Sequence, residues 1–138
     1  MRLHKDAKVE LISGVPLFAR CSKKELRMIA NLADQIEWPE GKTLIKEGRL
    51  GSEFFILIEG TVSVSRGGEK LRDLAAGEWV GEVALISSVP RTATVVATSP
   101  IRALVLTRAG FSQLMKDSPS IAAKVLAVLG ERVAPDTV

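Results

Sequence analysis

Residues 61–69 read Thr61-Val62-Ser63-Val64-Ser65-Arg66-Gly67-Gly68-Glu69. Apolar and polar side chains alternate from Thr61 to Ser65, the period-2 mark of a strand with one face buried and one face wet. Two glycines follow, and Gly-Gly supplies the positive φ that a tight hairpin needs. The next run, Glu69-Lys70-Leu71-Arg72-Asp73-Leu74-Ala75, is placed to return as the partner strand. An antiparallel hairpin is therefore the local unit.

Outward from the hairpin the texture persists. From Asp34 onward, glycine punctuates short runs at Gly41, Gly48, Gly51, Gly60, Gly77 and Gly81. Between them lie KTLIKE (42–47) and SEFFILIE (52–59). Strand character resumes at about 92–98 and 101–106, with Pro100 at the turn between. Many short strands at regular spacing with turn signals predict a sandwich or barrel-like roll.

The flanks read differently. Ser22 followed by Glu25 is a capping box opening a helix over about 22–33, with Leu26, Ile29, Ala30 and Ala33 at helical spacing. Before it, Val9 to Phe18 suit a short helix and an apolar turn, limited by Pro16. After the roll, 108–116 suits a short helix with Thr107 as its N-cap. A second helix opens with Ser118 as cap and Pro119 at its first position, and should stop before Pro135. The fold class expected is α+β: an antiparallel, jelly-roll-like β-roll (a double-stranded β-helix) flanked by N-terminal helices and two C-terminal helices. It forms one domain over 1–138, with N-terminal helices at about 6–33, the roll at about 34–106 and C-terminal helices at about 107–133.

Composition agrees and excludes several classes. The 138 residues, 46% hydrophobic and 25% charged, suit one soluble globular domain. With four Phe, two Trp and no Tyr, the core must be mostly aliphatic. The net charge of +3 comes from Lys and Arg spread along the chain. Nucleic-acid binding usually leaves a basic stripe or block, and none is present, so DNA is not an expected partner. One cysteine, Cys21, excludes an internal disulfide and a Cys-rich zinc site. One histidine, His4, near the start, leaves neither a metal site nor a His-dependent triad to expect. No apolar run approaches the ~18 residues of a membrane span, and the first residues lack a signal core. A reducing, cytoplasmic setting is the expectation.

Residues 77–96, GEWVGEVALISSVPRTATVV, carry the functional reading. A glycine-rich turn leads into a short apolar turn of helix at about 82–86, then a loop, then a strand. The first turn of a helix exposes backbone N–H groups and a partial positive charge, which suits a phosphate. Gly81 lets a ligand approach the backbone. Arg91 adds a planar fork of donors matched to two phosphate oxygens. Glu82, acceptor-only at neutral pH, suits a hydroxyl. Together they describe a sugar-phosphate clamp. The plain alternative stays open on spacing alone: a Gly-Glu pair at a turn is common, Gly77-Glu78 repeats it, and an Arg opening a strand is usually a solvated charge.

Residues 81–95, GEVALISSVPRTATV, resemble the phosphate-binding cassette of the cyclic nucleotide-binding domain family: Gly-Glu, a small-hydrophobic turn of helix, a variable loop, then Pro-Arg-Thr-Ala-Thr-Val. Upstream, WPEGKTLIKEGRLGSEFFILIEGTVSV (38–64) is similar to the family's glycine-punctuated roll. The resemblance covers about 17–133. It implies a non-enzymatic module binding cAMP or cGMP, with no cofactor or metal. Glu82 would bind the ribose 2′-hydroxyl and Arg91 an exocyclic phosphate oxygen. Backbone N–H groups of Val83, Ala84 and Ala93 would face the phosphate and ribose, with Gly81 giving room. Thr92 would offer its hydroxyl to the phosphate or the base edge. Val64 and Leu71 would form an apolar wall for the base, with plain core packing as the equal alternative. A hydroxyl residue at position 92 goes with cGMP in some family members, but nothing else in the cassette points to guanine, so cAMP is favoured.

The resemblance also bounds the output. The chain ends soon after its last helix, so the helix-turn-helix of family transcription factors is not expected, nor are the membrane spans of family channels. A stand-alone sensor is the leading reading; a regulatory piece of a larger enzyme, channel or transporter, with an off-chain effector, is the alternative. Hydrolysis of a cyclic phosphate would need a metal or an acid–base pair that a single His cannot supply. A scaffold that has lost its ligand is disfavoured by the intact Glu82 and Arg91. In the last helix, Ile121, Val125, Leu129 and Val133 form a stripe widened by Ala122, Leu126 and Val128. The resemblance implies a lid moving toward the base, incompletely capped because Pro135 leaves only Asp136 and Thr137 beyond it. The stripe either pairs two protomers as a homodimer or is covered by the roll and the N-terminal helices.

Overall fold

The computed structural model describes residues 3–133, with side chains to residue 131. Its backbone divides into two compact units, residues 33–109 and residues 3–32 with 110–133.

The first unit is the roll. Its strands are β1 (Asp34–Trp38), β2 (Thr43–Ile45), β3 (Glu53–Glu59), β4 (Val62–Arg66), β5 (Glu69–Leu74), β6 (Trp79–Val80), β7 (Thr94–Ala97) and β8 (Ile101–Thr107). They form two four-stranded antiparallel sheets, ordered β1-β8-β3-β6 and β2-β7-β4-β5. Phe55 and Leu57 from the first sheet and Val62, Val64, Leu74 and Val95 from the second share one aliphatic core. Phe54, Phe55, Ile56 and Leu57 are all buried, so β3 has no wet face and shows no alternation. The β4–β5 hairpin closes through Gly67 at φ 59° and Gly68 at φ 83°, the pair of positive φ values that a two-residue primed turn requires. A bulge after Val64 then sets Val64 opposite Arg72 rather than Leu71.

One boundary differs from the sequence expectation. The strand expected at 92–98 starts only at Thr94, because residues 92–93 bend. Thr107 stands where an N-cap was expected, directly before the helix that opens at Arg108, and it also ends β8, paired with Glu53. The ladder continues into Arg108, whose backbone N–H donates to Ser52 O at 2.8 Å.

The second unit holds α1 (Lys5–Ser13), a 3₁₀ turn (Pro16–Phe18), α2 (Lys23–Leu32), the part of α3 (Arg108–Asp117) from residue 110, and α4 (Pro119–Val133). Phe18 and Phe111 meet in a tilted ring pair with centroids 5.6 Å apart. In α4, Ile121, Val125 and Val128 are buried, while Leu126 is 66% exposed and Leu129 half-buried. A strict spacing of four drifts about 40° per step around a helix of 3.6 residues per turn. The step of three to Val128 brings the buried line back, which corrects the expected stripe. The side chain of Val133, and Pro135, Asp136 and Thr137, lie outside the described residues.

The capping box at the start of α2 is formed as its spacing predicts. Ser22 N–H donates to Glu25 Oε1 at 2.8 Å, and Glu25 N–H to Ser22 Oγ at 3.2 Å. Glu25 is nevertheless buried, at 6% exposure, because it also serves α4: Ser120 Oγ donates to its Oε2 at 2.6 Å, and Lys124 Nζ pairs with its Oε1. Lys124, then Ser120 and Ser22, pull the carboxyl down from 4.5 to about 2. A folded value below the unfolded one means the contribution is complete above about pH 4.5 and is lost as pH falls through about 2. Glu25→Gln keeps the cap geometry but removes the charge. Its stability loss at pH 7, about 1–3 kcal/mol by urea unfolding, should shrink toward zero as the parent is acidified. An equal loss at pH 7 and pH 2.5 would show that the charge is not what holds α2 to α4.

Candidate ligand-binding site

The site grows from the end of β6. Gly81, at φ 87°, turns the chain in a left-handed conformation that side-chain-bearing residues rarely adopt. It leads into a 3₁₀ helix (Glu82–Leu85), anchored inward by buried Ala84 and Leu85, with Val83 exposed. Ala84 N–H donates to Gly81 O at 3.1 Å, and the N–H groups of Ile86 and Ser87 converge on Val83 O at 3.0 Å. The Ala84 amide, expected to face a phosphate, thus closes the turn, because a 3₁₀ helix bonds three residues back rather than four.

Arg91 is held by its backbone and by its side chain. Its N–H donates to Arg49 O, and its carbonyl accepts from Gly48 N–H, both at 2.8 Å. One step back, Pro90 forms a bridge with Leu50. Arg91 Nη2 donates to Glu53 O at 2.6 Å. Two glycines make this seat. A Cβ on Gly51 would overlap the guanidinium, and one on Gly81 would stand 2.8 Å from Arg91 Nη1. Gly81 therefore accommodates the arginine as well as the turn. Burial lowers the Arg91 pKa from its ordinary value; Glu53 opposes that shift and Arg108 adds to it. A guanidinium stays charged regardless, so the chain carries a partly desolvated cation with spare donors.

These groups border one cavity of about 220 Å³. Gly81, Glu82, Val83 and Ala84 line one side and Arg91, Thr92 and Ala93 another, with Ile45, Val80 and Val95 as apolar wall. The Oε2 of Glu82 is buried. Thr92 is exposed, and its carbonyl accepts from Arg66 Nε at 2.7 Å. The cassette residues named from sequence thus share one cavity. Val64 and Leu71 do not line it. Val64 sits in the core beside Val95, and Leu71, at the bulge, is 50% exposed. Gly51, Glu53 and Arg108 were not singled out from sequence. Their partners lie 21 to 57 residues away along the chain, and no local motif marks them. Among the described residues, no group of three His, Cys, Asp or Glu could hold a metal ion, and no helix is long and apolar enough to cross a membrane.

Comparison with known proteins reaches the same region. Residues 35–118 match the family model of the cyclic nucleotide-binding domain. A cAMP-dependent protein kinase regulatory subunit of Mycosarcoma maydis is 34% identical over 115 residues, covering 77% of this chain and 22% of the subunit. A cyclic nucleotide-gated potassium channel of Rhizobium etli is 33% identical over 123 residues, covering 89% of this chain and 34% of the channel. The chain thus spans about a fifth to a third of the length of these relatives. In fold, it is similar to the crystal structure of the N-terminal domain of a transcriptional regulator from Streptomyces coelicolor, with a TM-score of 0.84 at 23% identity over 92% of this chain and 94% of that one. The matched segment contains both sheets apart from the first residue of β1, and the whole Gly81–Arg91 cradle, and on that ground the chain belongs to the cyclic nucleotide-binding domain family.

Proposed function

We propose that this chain is a non-catalytic sensor of cyclic nucleotides, favouring cAMP, whose output lies in a partner or a further domain. One observation carries the reading: a carboxylate, Glu82, and a seated guanidinium, Arg91, border the same otherwise largely apolar cavity. Arg91 meets the anionic cyclic phosphate, and Glu82 accepts a hydrogen bond from the ribose 2′-hydroxyl. A cavity of about 220 Å³ is smaller than the ~300–1,000 Å³ of sites that enclose a drug-sized ligand. It accepts the ribose and phosphate and leaves the base to project beyond, toward the β4–β5 hairpin and Leu71. The polar side chains lining it are a carboxylate, a guanidinium that does not give up its proton and a hydroxyl, which do not make the acid–base pair of a hydrolase. The relatives' names, a cAMP-dependent subunit and a cyclic nucleotide-gated channel, support a regulatory role with the effector outside this segment. The free, half-buried Cys21 fits a reducing cytoplasm.

Calorimetry with cAMP, cGMP, 2′-deoxy-cAMP and 5′-AMP on the purified chain tests the reading. Saturable cAMP binding with weaker 5′-AMP binding is expected, and no binding of either cyclic nucleotide would overturn it. Equal-concentration competition between cAMP and cGMP decides the base; clear cGMP preference, abolished by Thr92→Ala, would overturn the cAMP choice. Glu82→Ala is expected to weaken cAMP by about 1.5–3 kcal/mol, the value of a hydrogen bond to a charged acceptor, and to erase discrimination against 2′-deoxy-cAMP. Persistent discrimination in that variant would remove Glu82 from the ribose.

A further inference from the structure

Three successive carbonyls, those of Gly51, Ser52 and Glu53, each accept a hydrogen bond from an arginine. Gly51 O accepts from Arg108 Nη1 at 3.2 Å, Ser52 O from the Arg108 backbone N–H at 2.8 Å, and Glu53 O from Arg91 Nη2 at 2.6 Å. The same Arg108 Nη1 donates to Ala84 O at 3.3 Å and to Ser87 O at 3.4 Å. Those two carbonyls stand at the C-terminal end of the 3₁₀ helix that carries Glu82. A helix end leaves carbonyls without helical partners, and a cation there meets the negative end of the dipole. Arg108 is half-buried and does not line the cavity. It reaches both the segment that seats Arg91 and the helix that presents Glu82, without facing the ligand space.

We infer that Arg108 is a positioning residue of the nucleotide site: it ties the 51–53 segment to the 3₁₀ helix and so sets the separation at which Arg91 and Glu82 face one cavity. The inference rests on the cyclic-nucleotide reading of that cavity only for its affinity consequence; the tie belongs to the unliganded protein. One nitrogen supports all three side-chain contacts, sharing its protons among three carbonyls. A lysine ammonium, with three donors on one nitrogen, can serve the same carbonyls. Glutamine offers two donors on a shorter, uncharged side chain and cannot.

The test uses Arg108→Gln and Arg108→Lys, each checked for folding by circular dichroism. Without ligand, the amides of Ala84, Ile86 and Ser87 should exchange with deuterium at least tenfold faster in Arg108→Gln than in the parent, with Arg108→Lys recovering most of the protection. With cAMP, Arg108→Gln should bind about tenfold more weakly and Arg108→Lys within about threefold of the parent. Exchange at parental rates in Arg108→Gln, or cAMP binding within twofold of the parent, would overturn the role. Equal weakening in the glutamine and lysine variants would also overturn the three-carbonyl mechanism. If the parent does not bind cAMP, the functional reading fails, and the exchange measurement still decides whether Arg108 holds the cradle.

Discussion

Arg91→Ala is expected to cost more cAMP affinity than any other single change to the cavity lining. The cyclic phosphate keeps its charge at every relevant pH, and Arg91, the cation proposed to meet it, is already partly desolvated and seated on Glu53 O. Removing one partner of a buried, hydrogen-bonded charge pair costs about 2–5 kcal/mol. That is roughly 30-fold to several-thousand-fold in Kd at 1.4 kcal/mol per decade. The side chain is half-buried and makes one hydrogen bond within the protein, so the variant should remain folded. Calorimetry on a folded Arg91→Ala protein that still binds cAMP within threefold of the parent would remove Arg91 from the phosphate.

Gly51→Ala is expected to approach that loss without altering any group that faces the ligand. Gly51 is absent from the cavity lining, yet a Cβ there would occupy the space of the Arg91 guanidinium. The obstacle is the far end of a flexible side chain, so the backbone need not move and stability should change by less than about 1 kcal/mol. The guanidinium must leave its seat on Glu53 O, which carries affinity loss toward the same range of about 2–5 kcal/mol. The combination with Arg91→Ala makes the argument specific. Once the arginine is gone, adding Gly51→Ala should cost almost nothing, because both changes act on one group. Additive losses would mean that Gly51 matters for another reason, and undiminished binding in Gly51→Ala would mean that Arg91 has a second productive position.

Local chemistry made much of this protein readable as text. The Gly67-Gly68 turn needs only two positive φ values, and the Ser22–Glu25 cap needs only residues three apart. The 81–95 cassette is contiguous, so its turn of helix, its carboxylate and its arginine are legible together in one short segment. The alternation that reveals β4 fails in β3, where Phe54 to Leu57 are buried on both faces. The hairpin was legible but its register was not. A bulge after Val64 brings Arg72 opposite that residue and leaves Leu71 half in solvent. Nothing in TVSVSRGGEKLRDL marks where the extra residue falls.

The sequence by itself determined that this is a helix-flanked roll with a glycine-glutamate turn and an arginine in one short segment. Those features depend on backbone preferences and spacings within a few residues. Only the tertiary structure decided what holds that arginine in place. Its seat is assembled from Gly51, Glu53 and Gly81, and Arg108 binds the same segment from the end of β8. The sheets bring the 51–53 segment to Arg91 and Arg108 across 38 to 57 positions of chain. A contact over such distances is set by strand pairing and by the space that absent side chains leave, and a linear reading measures neither.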